Sequence, residues 1–287
     1  MTPVEPFDME PTERYADAGG YRIRYLQAGE DGPPVLLLHG GLIDAAHCSW
    51  GGVIEPLAEH CRVFAPDLLG YGDSDCPEIA YSTKRHVAVI GSFMDAIELE
   101  HANLVGLSVG GSVALGLALR SPERVDRLVP VASYGLGGEL PNGRLTYALS
   151  RLPALNRLSV AALRRSRRLT KASLAGIVHD PESLSPELVE EVYELVRRPN
   201  AGRAYRSWRR HEVSSSGFRT DYRSRLKEID APTLFVHGRE DGVFPPSWSV
   251  AAASRMDAEC WIVPDTGHWV PRERPEEFTE RLIEFLD

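Results

Sequence analysis

Cysteine is scarce and scattered in this chain of 287 residues. Cys48, Cys61, Cys76 and Cys260 form no CxxC pair and no ligand-like cluster. Neither a metal site nor a disulfide framework is expected, and a reducing compartment fits. Long apolar runs are missing too: no stretch approaches the roughly eighteen uninterrupted apolar residues that a spanning helix needs. The N-terminal MTPVEPFDMEPTERY has neither the basic start nor the apolar run of a secretion signal. A soluble, cytoplasmic protein without stable membrane insertion is expected. No internal repeat or low-complexity tract stands out, which argues against a solenoid or a tail-like segment. A net charge of -9 argues against nucleic acid as a whole-chain partner. That sum hides an asymmetry. Residues 141–225 hold 17 Lys and Arg against 8 Asp and Glu, a surplus of +9, which leaves -18 for the remainder.

What is present is the composition of an ordinary globular protein, 43% hydrophobic and 25% charged, on a chain long enough for one large α/β domain with an insertion. Short Leu- and Val-rich runs ending in Gly, Asp or Ser alternate with helix-like stretches, the pattern of βαβ units. Strands are expected near 21–27, 35–39, 62–66, 103–107, 127–132, 233–237 and 259–263, with an edge strand near Tyr15. Helical spacing marks 50–59, 84–99, 109–120, 247–255 and 275–286. The alternation stops after Ser133 and resumes at APTLFVHG. The expected division is a core of residues 1–135 and 221–287 with a helical cap, 136–220, inserted between consecutive strands of one sheet. Insertions after strand C-termini lie where open α/β sheets bind ligands, so this one is expected to roof a pocket.

The sequence NLVGLSVGGSVALGLAL sets Ser108 among Gly106, Gly110 and Gly111, after a predicted strand and at the start of a predicted helix. The spacing Gly-x-Ser-x-Gly suits a sharp strand-to-helix turn, with the glycines giving room for close approach. Such a turn lifts a hydroxyl above the sheet and aims free helix N–H groups at a developing oxyanion. A serine hydroxyl needs a histidine base and an orienting carboxylate. Both follow, in the order that this architecture requires, each just past a predicted strand: Asp241 in TLFVHGREDGVFP and His268 in CWIVPDTGHWVPRERP. Glu240 is the competing acid. The second oxyanion donor, beside the N–H of Val109, is expected from Gly41 in VLLLHGGLIDAAHCSW, with Leu42 next; His39 is expected to organise that loop rather than act on substrate. Trp269 and Leu107 are candidate substrate contacts, and no residue is assigned to a metal.

With LLLHGG, FAPDLLGYGDSD, LVGLSVGGSVAL, TLFVHGREDGVFP and PDTGHWV in order, the chain resembles the α/β-hydrolase fold family over nearly everything outside 136–220. The resemblance implies a mainly parallel eight-stranded sheet flanked by helices, a helical cap after the sixth strand, no cofactor, and catalysis by Ser108, His268 and Asp241. It also implies that Asp67, Gly70, Gly72 and Ser74 form a structural loop near the pocket. Serine at 108 disfavours the epoxide hydrolases and haloalkane dehalogenases of this fold, which use aspartate there, and Val109 replaces the tryptophan usual in proline iminopeptidases. Carbon-carbon bond hydrolases of ring-cleavage dienoates look similar at HGG and at His268-Trp269. They usually carry asparagine before the serine and Gly-Pro-Gly after HGG, where this chain has Leu107 and Leu42-Ile43-Asp44.

The expected activity is hydrolysis of a small carboxylic ester or lactone through an acyl-enzyme, by a monomer or weak oligomer acting on a small ester-like molecule. The alternatives are dienoate carbon-carbon hydrolysis, cofactor-free haloperoxidase or perhydrolase chemistry, and a ligand-binding receptor on the same scaffold. The arginine-rich 151–178 wraps as an amphipathic helix. Its basic side is expected as a solvated face paired with acidic core helices, or as a positive rim for anionic substrates or lipid surfaces. Tyr205 and Trp208 are expected to pack the cap onto the core.

Overall fold

The computed structural model describes residues 10–139 and 143–287. In chain order, the first half holds β1 (Thr12–Asp17), β2 (Arg22–Ala28), β3 (Pro34–Leu38), α1 (Ala46–Trp50), α2 (Ile54–Ala58), β4 (Arg62–Pro66), α3 (Thr83–Ala96), β5 (Ala102–Leu107), α4 (Val109–Arg120) and β6 (Val125–Val131). Then come α5 (Arg144–Ser150), α6 (Pro153–Leu163), α7 (Arg167–Leu174), α8 (Pro186–Arg197), α9 (Arg203–Glu212) and a two-residue-per-strand hairpin, β7 (Val213–Ser214) and β8 (Gly217–Phe218). The chain ends with β9 (Leu234–Gly238), α10 (Ser247–Met256), β10 (Glu259–Val263), α11 (Val270–Glu273) and α12 (Pro275–Leu286).

Eight strands form one sheet in the order β1-β2-β4-β3-β5-β6-β9-β10. Strand β2 runs antiparallel to both its neighbours, and the other pairs are parallel. The middle strands are apolar throughout because both faces are covered. In β3, alternate side chains separate to the two sides: Leu36 and Leu38 pack with Phe93, Val113 and Ala252 of α3, α4 and α10. Val35 and Leu37 pack with Trp50, Leu57 and Phe278 of α1, α2 and α12. Burying each such large side chain contributes about 1.5–3 kcal/mol.

The chain leaves β3 toward β4 and then crosses back to β5 on β3's other side, so the winding reverses between β3 and β5. The crevice beyond the C-terminal ends of those two strands is where an open α/β sheet offers a ligand site. The loops that meet there carry Gly40-Gly41 and Ser108.

Two local expectations change. The helix expected over 50–59 is two short helices, because α1 ends at Gly51 and the Gly51-Gly52 pair is a poor helix interior. The inserted segment, expected to be wholly helical, also contains the β7–β8 hairpin. That segment touches the strand-end loops of the sheet. Ala204 lies against Gly70, Tyr205 against Gly41, and Ile177 and His179 against Gly267, each so closely that a Cβ on the glycine would come within 2.5–3.1 Å of them.

Candidate active site

Ser108 takes φ 54°, ψ -110° between β5 and α4, a backbone conformation that costs a non-glycine residue about 1–3 kcal/mol. Three backbone hydrogen bonds hold it there: its N–H donates to Val131 O at 2.8 Å, and its carbonyl accepts from Ser112 and Tyr134, both at 3.1 Å. The glycines make the turn possible. A Cβ on Gly106 would lie 2.4 Å from Gly110 O, one on Gly110 2.2 Å from Leu38 O, and one on Gly111 2.6 Å from Ser133 Oγ. The cluster is thus what lets α4 press against β3, β5 and the turn after β6.

Asp241 follows β9 and His268 follows β10, on neighbouring strands of the sheet. His268 Nδ1 donates to Asp241 Oδ2 at 2.7 Å. Asp241 Oδ1 accepts from the N–H groups of Val243 at 2.6 Å and Phe244 at 3.1 Å. Its Oδ2 also accepts from His237 Nε2 at 2.9 Å, and His237 Nδ1 in turn accepts from Ser249 Oγ at 2.8 Å. Burial alone would raise the Asp241 pKa. The charge of His268 and the hydrogen bonds from His237 and His268 outweigh it and hold the carboxyl well below its ordinary value. With Nδ1–H given to the carboxylate, the lone pair of His268 sits on Nε2, the tautomer that accepts a proton from a hydroxyl. Ser108 and His268 are both nearly buried. Among the described residues no hydrogen bond joins Ser108 Oγ to His268. Without substrate such contacts are commonly long and tighten on binding.

The depressed pKa makes a prediction with a definite sign. A carboxyl lowered on folding stabilises the native state above its unfolded pKa, about 3.9, and that contribution fades as pH falls toward the folded value. Wild type is expected to exceed Asp241→Asn in denaturant midpoint at pH 7, with the gap narrowing at pH 3. An equal gap at both pH values contradicts the reading.

The His268 loop is held from both sides. Glu273 Oε1 accepts from Gly267 N–H at 3.0 Å and Trp269 N–H at 3.3 Å, its Oε2 accepts from His179 N–H at 2.7 Å, and His268 N–H donates to Ile177 O at 2.7 Å. The imidazole's backbone therefore rests on the inserted segment as well as on the core. Phe244 meets the imidazole edge to face, ring centroids 5.6 Å apart.

On the β3 side, Asp44 shapes the glycine loop. Its Oδ2 accepts from Gly40 N–H at 2.8 Å and Ser49 Oγ at 2.7 Å, and its Oδ1 accepts from Ala45 N–H at 2.8 Å. His39 pins the same loop, donating from Nδ1 to Gly40 O at 2.9 Å and accepting at Nε2 from Leu68 N–H at 2.9 Å. Gly41 lies over Val109, where a Cβ would come within 2.9 Å of Val109 Cγ2. Leu42 is at φ 60° and half exposed. Val109 opens α4, where an amide has no acceptor within its own helix.

The remaining candidates fall into place around these. Glu240 is engaged on the neighbouring loop, accepting from Thr266 N–H at 3.0 Å. Trp269 is 4% exposed, and its Nε1 donates to Ser49 Oγ at 3.1 Å, so its indole braces the Asp44 network. Leu107 is buried and faces Gly40. Asp67 accepts from Ala46 and Asp73 N–H groups at 2.7 and 2.9 Å, and Ser74 Oγ donates to Asp67 O at 2.7 Å. Gly72, at φ +48°, lies so close to Asp67 that a Cβ would overlap its carboxylate. A cavity of about 400 Å³ opens beside the glycine loop, lined by Leu42, Ile43 and Asp44 and by Arg198 and Gly202 of the inserted segment. Among the described residues no three His, Cys, Asp or Glu side chains stand together as metal ligands. No described helix is long and apolar enough to cross a membrane.

His237, Ser49 and Glu273 are absent from the sequence reading, and Asp44 enters it only as the third residue after HGG, with no role. His237 carried a signal: a histidine closing the apolar run TLFVHG is buried and must find partners.

The chain matches the alpha/beta hydrolase fold family over residues 33–275. It is 30% identical over 281 residues to the 2-hydroxy-6-oxo-6-(2'-aminophenyl)hexa-2,4-dienoic acid hydrolase of Metapseudomonas resinovorans, covering 96% of this chain and 90% of that one. A 2-hydroxymuconate semialdehyde hydrolase of Pseudomonas putida is 33% identical over 276 residues, covering 94% and 92%. Among solved structures, a meta-cleavage product hydrolase from Pseudomonas fluorescens IP01 superposes with a TM-score of 0.79 at 29% identity, covering 95% of this chain and 96% of that one. A strained serine between strand and helix, an eight-stranded sheet wound this way, and likeness over nearly the full length lead to one conclusion: the chain belongs to the alpha/beta hydrolase fold family, as a serine hydrolase related to the hydrolases of meta-cleavage products.

Proposed function

We propose that this serine hydrolase cleaves the carbon-carbon bond beside the 6-oxo group of a small 2-hydroxy-6-oxo-hexa-2,4-dienoate. The observation that carries the reading is likeness to dienoate hydrolases over nine-tenths or more of both chains, on a site whose nucleophile position holds serine. The residues supply the cleavage itself. The dienol first tautomerises, its 2-hydroxyl giving up a proton as C5 takes one, to the 2,6-diketone with a C3=C4 double bond. Ser108 Oγ then attacks the C6 carbonyl as its proton passes to His268 Nε2, and Asp241 stabilises the resulting imidazolium. The N–H groups of Gly41 and Val109, with Leu42 beside them, receive the oxyanion. Collapse breaks C5–C6, and the electron pair runs through C3=C4 onto the C2 oxygen, which takes a proton to leave as 2-hydroxypenta-2,4-dienoate. Water activated by His268 then frees the carboxylic acid from Ser108.

A second reading, hydrolysis of small esters or lactones by the same acyl-enzyme route, is favoured by one observation. Leu107, next to the nucleophile, is apolar and gives a substrate no hydrogen bond. In either reading residues 136–220 serve as a cap over a core of 1–135 and 221–287, Leu107 walls the substrate site, and Trp269 acts through the loop it braces. Four unpaired cysteines suit a cytoplasmic setting.

The test compares 2-hydroxy-6-oxo-6-phenylhexa-2,4-dienoate with p-nitrophenyl butyrate. The dienoate is expected to yield benzoate and 2-hydroxypenta-2,4-dienoate in equal amounts, with kcat/KM at least about tenfold above the ester's. The reverse order would favour the ester reading. Absence of turnover on both would refute the two together.

A further inference from the structure

Helix α9 has two unlike faces. Inward, Ala204 and Trp208 are buried, Tyr205 stacks on Trp208 with ring centroids 5.6 Å apart, and Trp208 Nε1 donates to Thr83 Oγ1 at 3.1 Å. Outward, Arg203, Arg206, Arg209 and Arg210 recur at the three- and four-residue spacing that puts side chains on one side of a helix. Arg157 of α6 closes the other wall. Together with Glu78 these five arginines line a cavity of about 570 Å³ that does not include Ser108, His268 or Asp241.

The cavity holds more positive charge than the chain balances. Arg203 stands 3.5 Å from Glu78, the one carboxylate among the described lining residues. Among the described residues Arg206 and Arg209 bond only to backbone carbonyls, of Ala201 and Leu149, both at 3.2 Å. Among the described residues Arg157 and Arg210 have no partner. Burial together with the charges of Arg157, Arg203 and Arg164 makes the Arg206 guanidinium less favourable than an ordinary one. Like charges gathered in a concave site are destabilising unless an anion joins them. Guanidinium groups are planar forks that grip phosphate oxygens two at a time. A single carboxylate would leave most of the charge unmet. The surplus of -18 outside residues 141–225 repels long polyanions that would have to run past the groove.

We propose that the outer groove of α9 is a binding site for a small multivalent oxyanion of the diphosphate class, separate from the hydrolytic centre. The groove is concave, walled by two helices and sized for such a group with a small organic substituent. Recognition is by the guanidinium groups of Arg157, Arg206 and Arg210, with Arg203 and Arg209 completing the lining.

Calorimetric titration of the full chain with inorganic diphosphate and, in parallel, ADP tests this at physiological ionic strength. Saturable one-to-one binding is expected, with Arg157→Gln and Arg206→Gln each weakening it about tenfold. Arg168→Gln, on the exposed surface of α7, is expected to leave it unchanged. Equal affinities for the two ligands would assign recognition to the diphosphate alone, and tighter ADP would extend it to the nucleoside. The proposal is overturned by absence of saturation with either ligand below about 5 mM, by binding that both variants leave intact, or by equal binding of benzoate. Because binding is read directly, the result does not depend on which bond the enzyme hydrolyses. Circular dichroism of each variant separates loss of the site from loss of fold.

Discussion

Ser108→Ala is expected to lower kcat by about 10⁴-fold or more, with the melting temperature unchanged within about 2 °C. The substitution deletes one oxygen. It keeps the backbone at φ 54°, which its bonds to Val131, Ser112 and Tyr134 impose on alanine as they do on serine. The His268–Asp241 pair at 2.7 Å and the amides of Gly41 and Val109 remain, so under the proposed mechanism the variant keeps only what positioning and oxyanion donors supply without a nucleophile. Steady-state turnover of the better substrate, measured beside a thermal melt, reads both halves. Full retained activity would remove Ser108 from the chemistry.

Gly110→Ala is expected to destabilise the fold by about 3 kcal/mol. The added methyl would sit 2.2 Å from Leu38 O and 2.5 Å from His39 O, and these are backbone atoms that no rotamer change can move. Relief requires α4 to retreat from β3, which would carry Val109 and the Ser108 turn away from the glycine loop. Gly91→Ala is the matched control. It lies within α3, where the nearest atom to a new Cβ is Leu117 Cδ1 at 4.0 Å. Alanine there is expected to stabilise by about 0.5–1 kcal/mol. Denaturant midpoints of the two variants against wild type check the pair, and equal effects would contradict this account of why the glycines cluster.

Much of the core was legible because its signals are local. Strands β4 and β10 and helices α4 and α12 coincide with the runs read from Arg62–Pro66, Glu259–Val263, Val109–Arg120 and Pro275–Leu286. In each, one apolar run or one helical period is bounded by Gly, Pro or Asp. The proximity of Asp241 to His268 could be anticipated because both follow strands in a sheet whose winding is constrained. The partners that fix them could not. His237 reaches Asp241 across the β9 turn, and Glu273 ties its near neighbour Gly267 to His179, which lies 94 positions from Glu273 in the chain. Such bonds follow from how loops pack, which no periodicity encodes. Trp269 shows the same limit. Its place beside His268 suggested substrate contact, and only the fold reveals Ser49 within 3.1 Å of its indole nitrogen. The substrate is less legible still, since the change from carbon-carbon to ester hydrolysis leaves the reacting side chains unaltered.

Mass spectrometry after treatment with a fluorophosphonate is the most direct test that Ser108 is a nucleophile activated by His268. One adduct on Ser108 is predicted, absent in Ser108→Ala and formed at least about 10²-fold more slowly in His268→Gln. No adduct on Ser108, or an undiminished rate without the imidazole, would contradict the account.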